Sequence, residues 1–309
     1  RPFHTPATPG PGERMLALSA TFSLALTTPP LRAGPPTMTV SASSSPASQL
    51  LSGCVLPRVS DGAKVDLGEL LAAPITTMLV LGTYPADFNM IEYAQKMRHY
   101  WPQLQAKGVE SGLMVVNGSP ESCRKLAEIL DLPSDVELLS DEAGEAGRRF
   151  GCSTGWMPES DLNPYVKLLG MLVGLGASAT LPSVITGYLG NPNGKSEWIE
   201  SSLAQGQKAG RWPDIVLEFD GQGEVASNKF AELPAVGGWG RRPLELATLR
   251  LQTMLGVSLA NWKELAPEDE RCLTQLGGCV VQSGAEVKYE WKDGGICNTA
   301  NFEELLAAL

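Results

Sequence analysis

One continuous apolar and β-branched run, PITTMLVLGT at residues 74–83, constrains the fold of this chain more than any other feature. A run without polar alternation is typical of a strand buried on both faces, as in a parallel sheet. Residues 84–89 supply a turn, and apolar residues then recur at helical spacing over residues 90–107. The pattern predicts a strand that passes into a helix at residues 84–89. We expect Pro102 to kink that helix or to end its first half.

The alternation of strand and helix continues downstream. Residues 109–116 predict a second strand, and a helix opens behind it with Ser119 as N-cap and Pro120 at the first helical position. Residues 136–140 predict a third short strand, with a helical turn or two at residues 142–150. Strands joined in this way by helices are expected to be parallel and to wind right-handedly.

The last part of the chain predicts an antiparallel hairpin and a helix instead of further parallel strands. Residues 277–291, GGCVVQSGAEVKYEW, predict an antiparallel hairpin with a Ser-Gly turn, and Asn301 can cap a closing helix. Between the two parts lies an insertion of about residues 155–260. We expect its first section, residues 155–235, to hold one or two helices, and residues 242–255 to form another helix.

The charge is unevenly distributed along the chain. The net charge is −10, but residues 1–60 sum to +3, so the remainder carries −13. An acidic body lacks the Lys/Arg surface that phosphate backbones require, so we expect no nucleic-acid partner.

Residues 1–60 have the composition of a targeting leader. An apolar run at residues 15–26 follows Arg14, and the Ser-rich text after Arg32 contains no acidic residue. This order resembles the bipartite leaders of algae with complex plastids. We expect residues 1–60 to be a leader that is disordered or removed, with residues 1–14 as upstream sequence, and residues 61–309 to be a plastid domain in the stroma or at the thylakoid. A disordered low-complexity tail is the alternative.

Membrane spans and metal sites are not predicted. The leader run is shorter than the ~20 residues that a spanning helix needs, and residues 168–179 predict a buried or interfacial helix. The cysteines form no C-x-x-C pair, and only two histidines exist. We therefore expect neither a metal site nor a cofactor.

Three stretches carry a family resemblance, and they lie at residues 80–109, 117–130 and 275–295. Together with the order of elements, VLGTYPADFNMIEYAQKMRHYWPQLQAKGV, NGSPESCRKLAEIL and QLGGCVVQSGAEVKYEWKDGG resemble the peroxiredoxin-like branch of the alkyl hydroperoxide reductase/thiol-specific antioxidant family, particularly its cyanobacterial and plastid members. The resemblance covers about residues 67–150 and 271–309. It implies an α/β, thioredoxin-like fold: a central mixed sheet flanked by helices, with a large insertion before the C-terminal β-hairpin.

The resemblance also implies thiol chemistry at one place. Such proteins need a cysteine at the start of the helix after the first core strand, where the helix dipole favours the thiolate. This chain has no cysteine between Cys54 and Cys123. The corresponding positions are held by Thr83, Tyr84, Asp87, Phe88 and Asn89. We expect Asp87 or Asn89 to cap the helix, since Asp and Asn are favoured at N-cap positions. A carboxylate cannot replace a peroxidatic sulfur.

Two other cysteines are candidates for a catalytic thiol. Cys279 opens the hairpin where thioredoxin-like proteins often place a cis-proline beside the active centre, and we expect Cys152 to be exposed after a helix end, near Arg148 and Arg149. The alternative for both is a buried, inert thiol.

Two functions therefore stay open. One is an antioxidant, peroxidase-like oxidoreductase that uses a thiol reductant. The other is a non-catalytic accessory or binding subunit of a stromal or thylakoid (photosynthetic) complex, which the missing thiol and an insertion rich in Trp, Gly and Pro favour. Trp156, Trp198 and Trp212 of that insertion are predicted to form either a docking patch or a small core.

Overall fold

The computed structural model describes residues 45–188, 197–210, 217–220, 225–228 and 254–309. The strands are β1 (Val55–Pro57), β2 (Lys64–Asp66), β3 (Thr76–Leu81), β4 (Ser111–Val116), β5 (Val136–Ser140), β6 (Leu217–Phe219), β7 (Val225–Asn228), β8 (Gly278–Ser283) and β9 (Glu286–Lys292). The helices are α1 (Ala47–Leu50), α2 (Leu67–Ala72), α3 (Phe88–Ala106), α4 (Pro120–Leu130), α5 (Glu145–Phe150), α6 (Pro164–Leu172), α7 (Thr180–Tyr188), α8 (Glu197–Lys208), α9 (Trp262–Leu265) and α10 (Phe302–Ala308). Residues 254–260 are also helical.

A mixed five-stranded sheet forms the centre, in the order β5-β4-β3-β8-β9. Strands β3, β4 and β5 are parallel neighbours, whereas β8 is antiparallel to both β3 and β9. All six residues of the middle strand β3 are buried, which explains its continuous apolar run. The predicted strands and the hairpin are confirmed, and the chain has an α/β fold with helices flanking a mixed sheet.

Strand alternation divides the core into two layers. Met78 and Val80 point to one side, which we call the α3 face, where α3, α4, α8 and α10 pack. Leu79 and Leu81 point to the other side, which we call the α2 face, where α1, α2 and α5 pack. The caps at Ser119 and Asn301 are confirmed, because each side chain accepts a backbone N–H from its own helix.

Of the two outcomes predicted for Pro102, a kink or a helix end, the structure excludes the helix end. The helix continues through Pro102 to Ala106, so the proline does not end it. Trp101 and Leu104 are buried on either side of the proline, and the Trp101 ring lies so close to Gly112 of β4 that a Cβ there would sit 2.6 Å from it. This packing against the sheet offsets the backbone hydrogen bond that proline removes.

The folded domain begins earlier than predicted. Strand β1 pairs with β2, and Leu51 and Cys54 are buried on the α2 face. Residues 47–60, assigned to the leader, therefore belong to the domain, since they bury apolar side chains on it. The remainder of the predicted leader, residues 1–44, lies outside the described residues.

The insertion is richer in structure than predicted. It contains α6, α7 and α8 and the two-stranded sheet β6–β7, instead of one or two helices. Trp198 is buried on the α3 face and Trp156 is partly buried. Trp212 and most of the predicted helix at residues 242–255 lie outside the described residues. Among the helices that are described, none is long and apolar enough to cross a bilayer.

Candidate functional site

The junction from β3 to α3 lies in the interior of the protein. Thr83, Tyr84 and Asp87 are all buried, and the Thr83 hydroxyl donates a hydrogen bond of 2.5 Å to Oδ2 of Asp87. Asp87 occupies the N-cap position of α3, and the backbone N–H groups of Phe88 and Asn89 act on its carboxyl group. The predicted strand-to-helix crossing is confirmed, and a carboxyl group stands at its helix start.

Burial changes the chemistry of that carboxyl group. Loss of solvent raises the pKa of Asp87 from 3.8 to about 6, although the hydrogen bond from Thr83 acts in the opposite direction. Burial also raises the pKa of the neighbouring Tyr84 phenol well above its usual value. This end of α3 is therefore a place where negative charge is disfavoured, unlike the helix start that a thiolate requires.

The end of the insertion covers the junction. The Trp262 ring meets Tyr84 edge-to-face, with 6.2 Å between centroids, and Tyr165 lies 6.4 Å from Trp262. The backbone N–H of Ala86 donates to the carbonyl of Leu265 at 3.1 Å. Helix α9 thus covers the start of α3.

Three buried polar residues lie side by side just beyond the carboxyl ends of the parallel strands: Thr83, Asn117 and Asp141. Asn117 follows β4 and donates its N–H to the carbonyl of Thr83 at 3.0 Å, and Asp141 follows β5 and donates its N–H to the carbonyl of Val116 at 2.9 Å. Burial raises the pKa of Asp141, and its Oδ2 accepts the N–H of Ala146. The carboxyl edge of parallel strands is where α/β sheets bind ligands.

The carboxamide of Asn117 is the most unusual member of this row. It is 1% exposed, and neither of its side-chain polar atoms has a hydrogen-bond partner within the described residues. A carboxamide can both donate and accept, and an unpaired buried polar group costs about 1–3 kcal/mol. Asn117 and Asp141 are not among the predicted site residues, although each directly follows a buried strand, which is the signal that the sequence offers for them.

A second polar cluster fixes α3 to the C-terminal segment. Asp293 is buried; its Oδ1 accepts from the Tyr93 hydroxyl at 2.6 Å and from the Trp291 indole at 3.1 Å. Its Oδ2 accepts from Nδ2 of Asn89 at 2.9 Å. Burial raises the pKa of Asp293 to about 7, against the effect of the Tyr93 and Asn89 hydrogen bonds.

The second cluster corrects the predicted role of Asn89. Its Oδ1 accepts the N–H of Cys297 at 2.6 Å, so both ends of the carboxamide are bound to the C-terminal segment. Asn89 lies inside α3 and does not cap it, because its partners are more than 200 residues away. Phe88, the first residue of α3, packs between two apolar clusters.

A buried ion pair lies one turn further along α3. Nζ of Lys96 is 2.9 Å from Oε1 of Glu92, and it also donates to Thr299 and to the carbonyl of Ala300. The Thr299 hydroxyl donates to Glu92, so the charges are bridged as well as paired. Buried pairs of this quality hold a fold in one arrangement and leave no free base.

The two predicted catalytic thiols lie on opposite faces of the sheet. Cys279 packs on the α3 face, whereas Cys152 packs on the α2 face with its sulfur beside Gly278. Cys152 is 5% exposed, so its predicted exposure is wrong; the turn after α5 folds its side chain against the sheet. Burial raises the pKa of both thiols.

Three of the other four cysteines are buried and also have raised pKa values. Burial raises the pKa of Cys54 to about 11 and that of Cys272 to about 12, and it raises the pKa of Cys123 as well. Cys297 is partly exposed, and none of the six cysteines, all of which lie in the described residues, forms a disulfide. The part of the chain that the structure describes contains no group of three or more His, Cys, Asp or Glu side chains placed to hold a metal ion.

Comparison of the chain with protein-family models and with curated proteins finds no match. The site is therefore interpreted from its own geometry. It combines buried carboxyl groups with raised pKa values, buried thiols with raised pKa values and a covered helix start. Such a set can bind and can change charge near neutral pH, but it lacks an activated nucleophile among the described residues.

Proposed function

We propose that this chain is a thioredoxin-like protein of the peroxiredoxin-like branch that acts as a non-catalytic binding or accessory subunit. The fold assignment is supported by the sheet order β5-β4-β3-β8-β9, by the antiparallel β8 and by the strand–helix–strand entry at β3, α3 and β4. The resemblance in residues 80–109 and 275–295 supports the branch.

The covered helix start carries the functional proposal. A peroxidatic centre needs a thiolate that peroxide can reach at the start of α3. Here Thr83 and Asp87 pair with one another at that place, and Trp262 and Leu265 cover it. A fold that closes its reactive position retains surfaces for binding, which supports the accessory role over the antioxidant one.

The test is a peroxide-consumption assay on the full chain, with hydrogen peroxide as substrate and dithiothreitol as reductant. We expect no consumption above the protein-free blank, for the native protein and equally for the Cys152→Ser and Cys279→Ser variants. A protein-dependent rate that either variant abolishes would overturn the proposal. Trapping of sulfenic acid with dimedone on the native protein gives a second readout that does not depend on the folding of the variants.

We also propose a plastid location, which rests on the composition of residues 15–60. Import of the full chain carrying a C-terminal fluorescent tag tests it. Unchanged localisation after deletion of residues 1–44 would contradict it.

A further inference from the structure

The hairpin of α6 and α7 presents an apolar surface to solvent. Seven large apolar side chains on this surface are exposed, and we call them the α6–α7 face: Tyr165, Val166, Leu169, Val173, Leu175, Leu181 and Ile185. Leu169 and Val173 are the most open, at 63% and 65%. Seven exposed large apolar side chains on two consecutive helices and the turn between them indicate an interaction site.

Helical spacing places these side chains on continuous stripes. Tyr165, Leu169 and Val173 follow one another at intervals of four residues, and Leu181 and Ile185 do the same on α7. The opposite side of α6 is buried: Gly170 lies against the Trp156 ring, and Met171 is in the core. Helix α6 is thus apolar on both its inner and its outer side, a pattern foreign to an ordinary surface helix.

The face is also free of exposed charge. Residues 162–188 contain one charged residue, Lys167, which is 6% exposed. Its ammonium group donates to the carbonyls of Pro158 and Ser160, at 3.2 and 2.7 Å, so the charge is bound on the inner side. In a chain with 19% charged residues, 27 consecutive residues with no exposed charge form a surface that matches an uncharged apolar phase.

We propose that the α6–α7 face inserts into the interface of an electrically neutral lipid bilayer. The absence of charge on the face matches the hydrocarbon boundary, and the net charge of −10 opposes an anionic one. Tyr165 is half exposed, and aromatic rings with a polar tip are enriched at the headgroup layer of bilayers. The turn joining α6 to α7 carries Val173 and Leu175, so the most apolar part of the face is also where the chain reverses.

The inference deepens the proposed binding function by naming its partner, and it rests on that function. The accessory role and the lipid-binding inference can be refuted by different results. Peroxidase activity would refute the accessory role whether or not the protein binds lipid, whereas failure to bind lipid would leave the thiol result unchanged.

The experiment is flotation of the full chain with phosphatidylcholine vesicles. We expect the protein to float with the vesicles, and addition of phosphatidylserine to reduce that fraction. The double variant Leu169→Glu/Val173→Glu should lower the partition coefficient roughly tenfold or more, because carboxylates do not enter the apolar layer. Both sites are exposed, so the variant should keep the native circular dichroism spectrum.

Val55→Glu is the matched control. Val55 is also an exposed apolar residue, at 52%, but it lies on β1, outside the α6–α7 face. Partitioning should be unchanged in this variant. The proposal is overturned if the native protein stays in the aqueous phase, if both variants lose binding equally, or if light scattering shows a dimer that Leu169→Glu/Val173→Glu dissociates, since a second copy would then cover the face.

Discussion

Replacement of Asp293 by Asn should remove a large part of the pH dependence of stability. The Asp293 carboxyl has an ordinary pKa of 3.8 and a pKa of about 7 in the folded protein, because burial disfavours its charged form. Between these values the folded protein binds the proton and the unfolded chain does not. Stability is therefore highest at low pH on this account, and it falls as the pH rises toward 7.

The size of the effect follows from the shift. Each pKa unit corresponds to about 1.4 kcal/mol, so the full shift amounts to about 4 kcal/mol above pH 8. About 2 kcal/mol of it develops between pH 5 and pH 7. In Asp293→Asn the amide can still accept from the Tyr93 hydroxyl, but its NH₂ group meets the Nδ2 donor of Asn89, which costs about 1 kcal/mol at every pH.

The assay is urea unfolding, followed by tryptophan fluorescence at pH 5, 6, 7 and 8. Relative to the native protein, Asp293→Asn should gain about 2 kcal/mol between pH 5 and pH 7. Glu128→Gln, at an exposed position of α4, should leave the pH profile as it is. Parallel profiles for native and Asp293→Asn proteins would refute the reasoning, since Asp293 would then titrate alike in both states.

Two further predictions concern packing. Gly277→Ala should lower the free energy of unfolding by about 1–3 kcal/mol, because a Cβ there would sit 2.6 Å from the carbonyl oxygen of Leu81 and 3.1 Å from Oδ2 of Asp293; an unchanged urea midpoint would contradict this close approach. In maleimide labelling, at most one of the six thiols should react before unfolding, and Cys297→Ser should abolish that reaction, since Cys297 alone is not buried. Native labelling that persists in Cys297→Ser would show that a buried thiol is reachable.

Local patterns in the sequence were sufficient for most of the fold. The run at β3 predicted a buried strand because every position of β3 contacts the core. Ser119 and Asn301 were recognised as caps because a cap acts on its own helix within three residues. Pro102 does not end the helix, because Trp101 packs against β4 at a place that lies outside the local window.

The candidate site was less predictable, because its contacts span the chain. Asn89 was taken for a helix cap, yet it binds Asp293 and the backbone of Gly295, more than 200 residues away. Asn117 lies beside Thr83 because β3 and β4 pair in parallel register. The sequence pattern of one strand does not show how it pairs with the next. Cys152 followed a helix end in the sequence, a position that usually favours exposure, but it lies behind the sheet beside Gly278.

The insertion has two consequences that belong together. Its last helix, α9, covers the start of α3 with Trp262 and Leu265. Its first two helices, α6 and α7, leave an uncharged apolar face in solvent. Covering the junction does not explain that face, since each Leu or Val left exposed forgoes about 1 kcal/mol or more that its burial would contribute to stability. The cover over the start of α3 and the exposed α6–α7 face therefore both support the proposed binding role over the alternative of thiol catalysis.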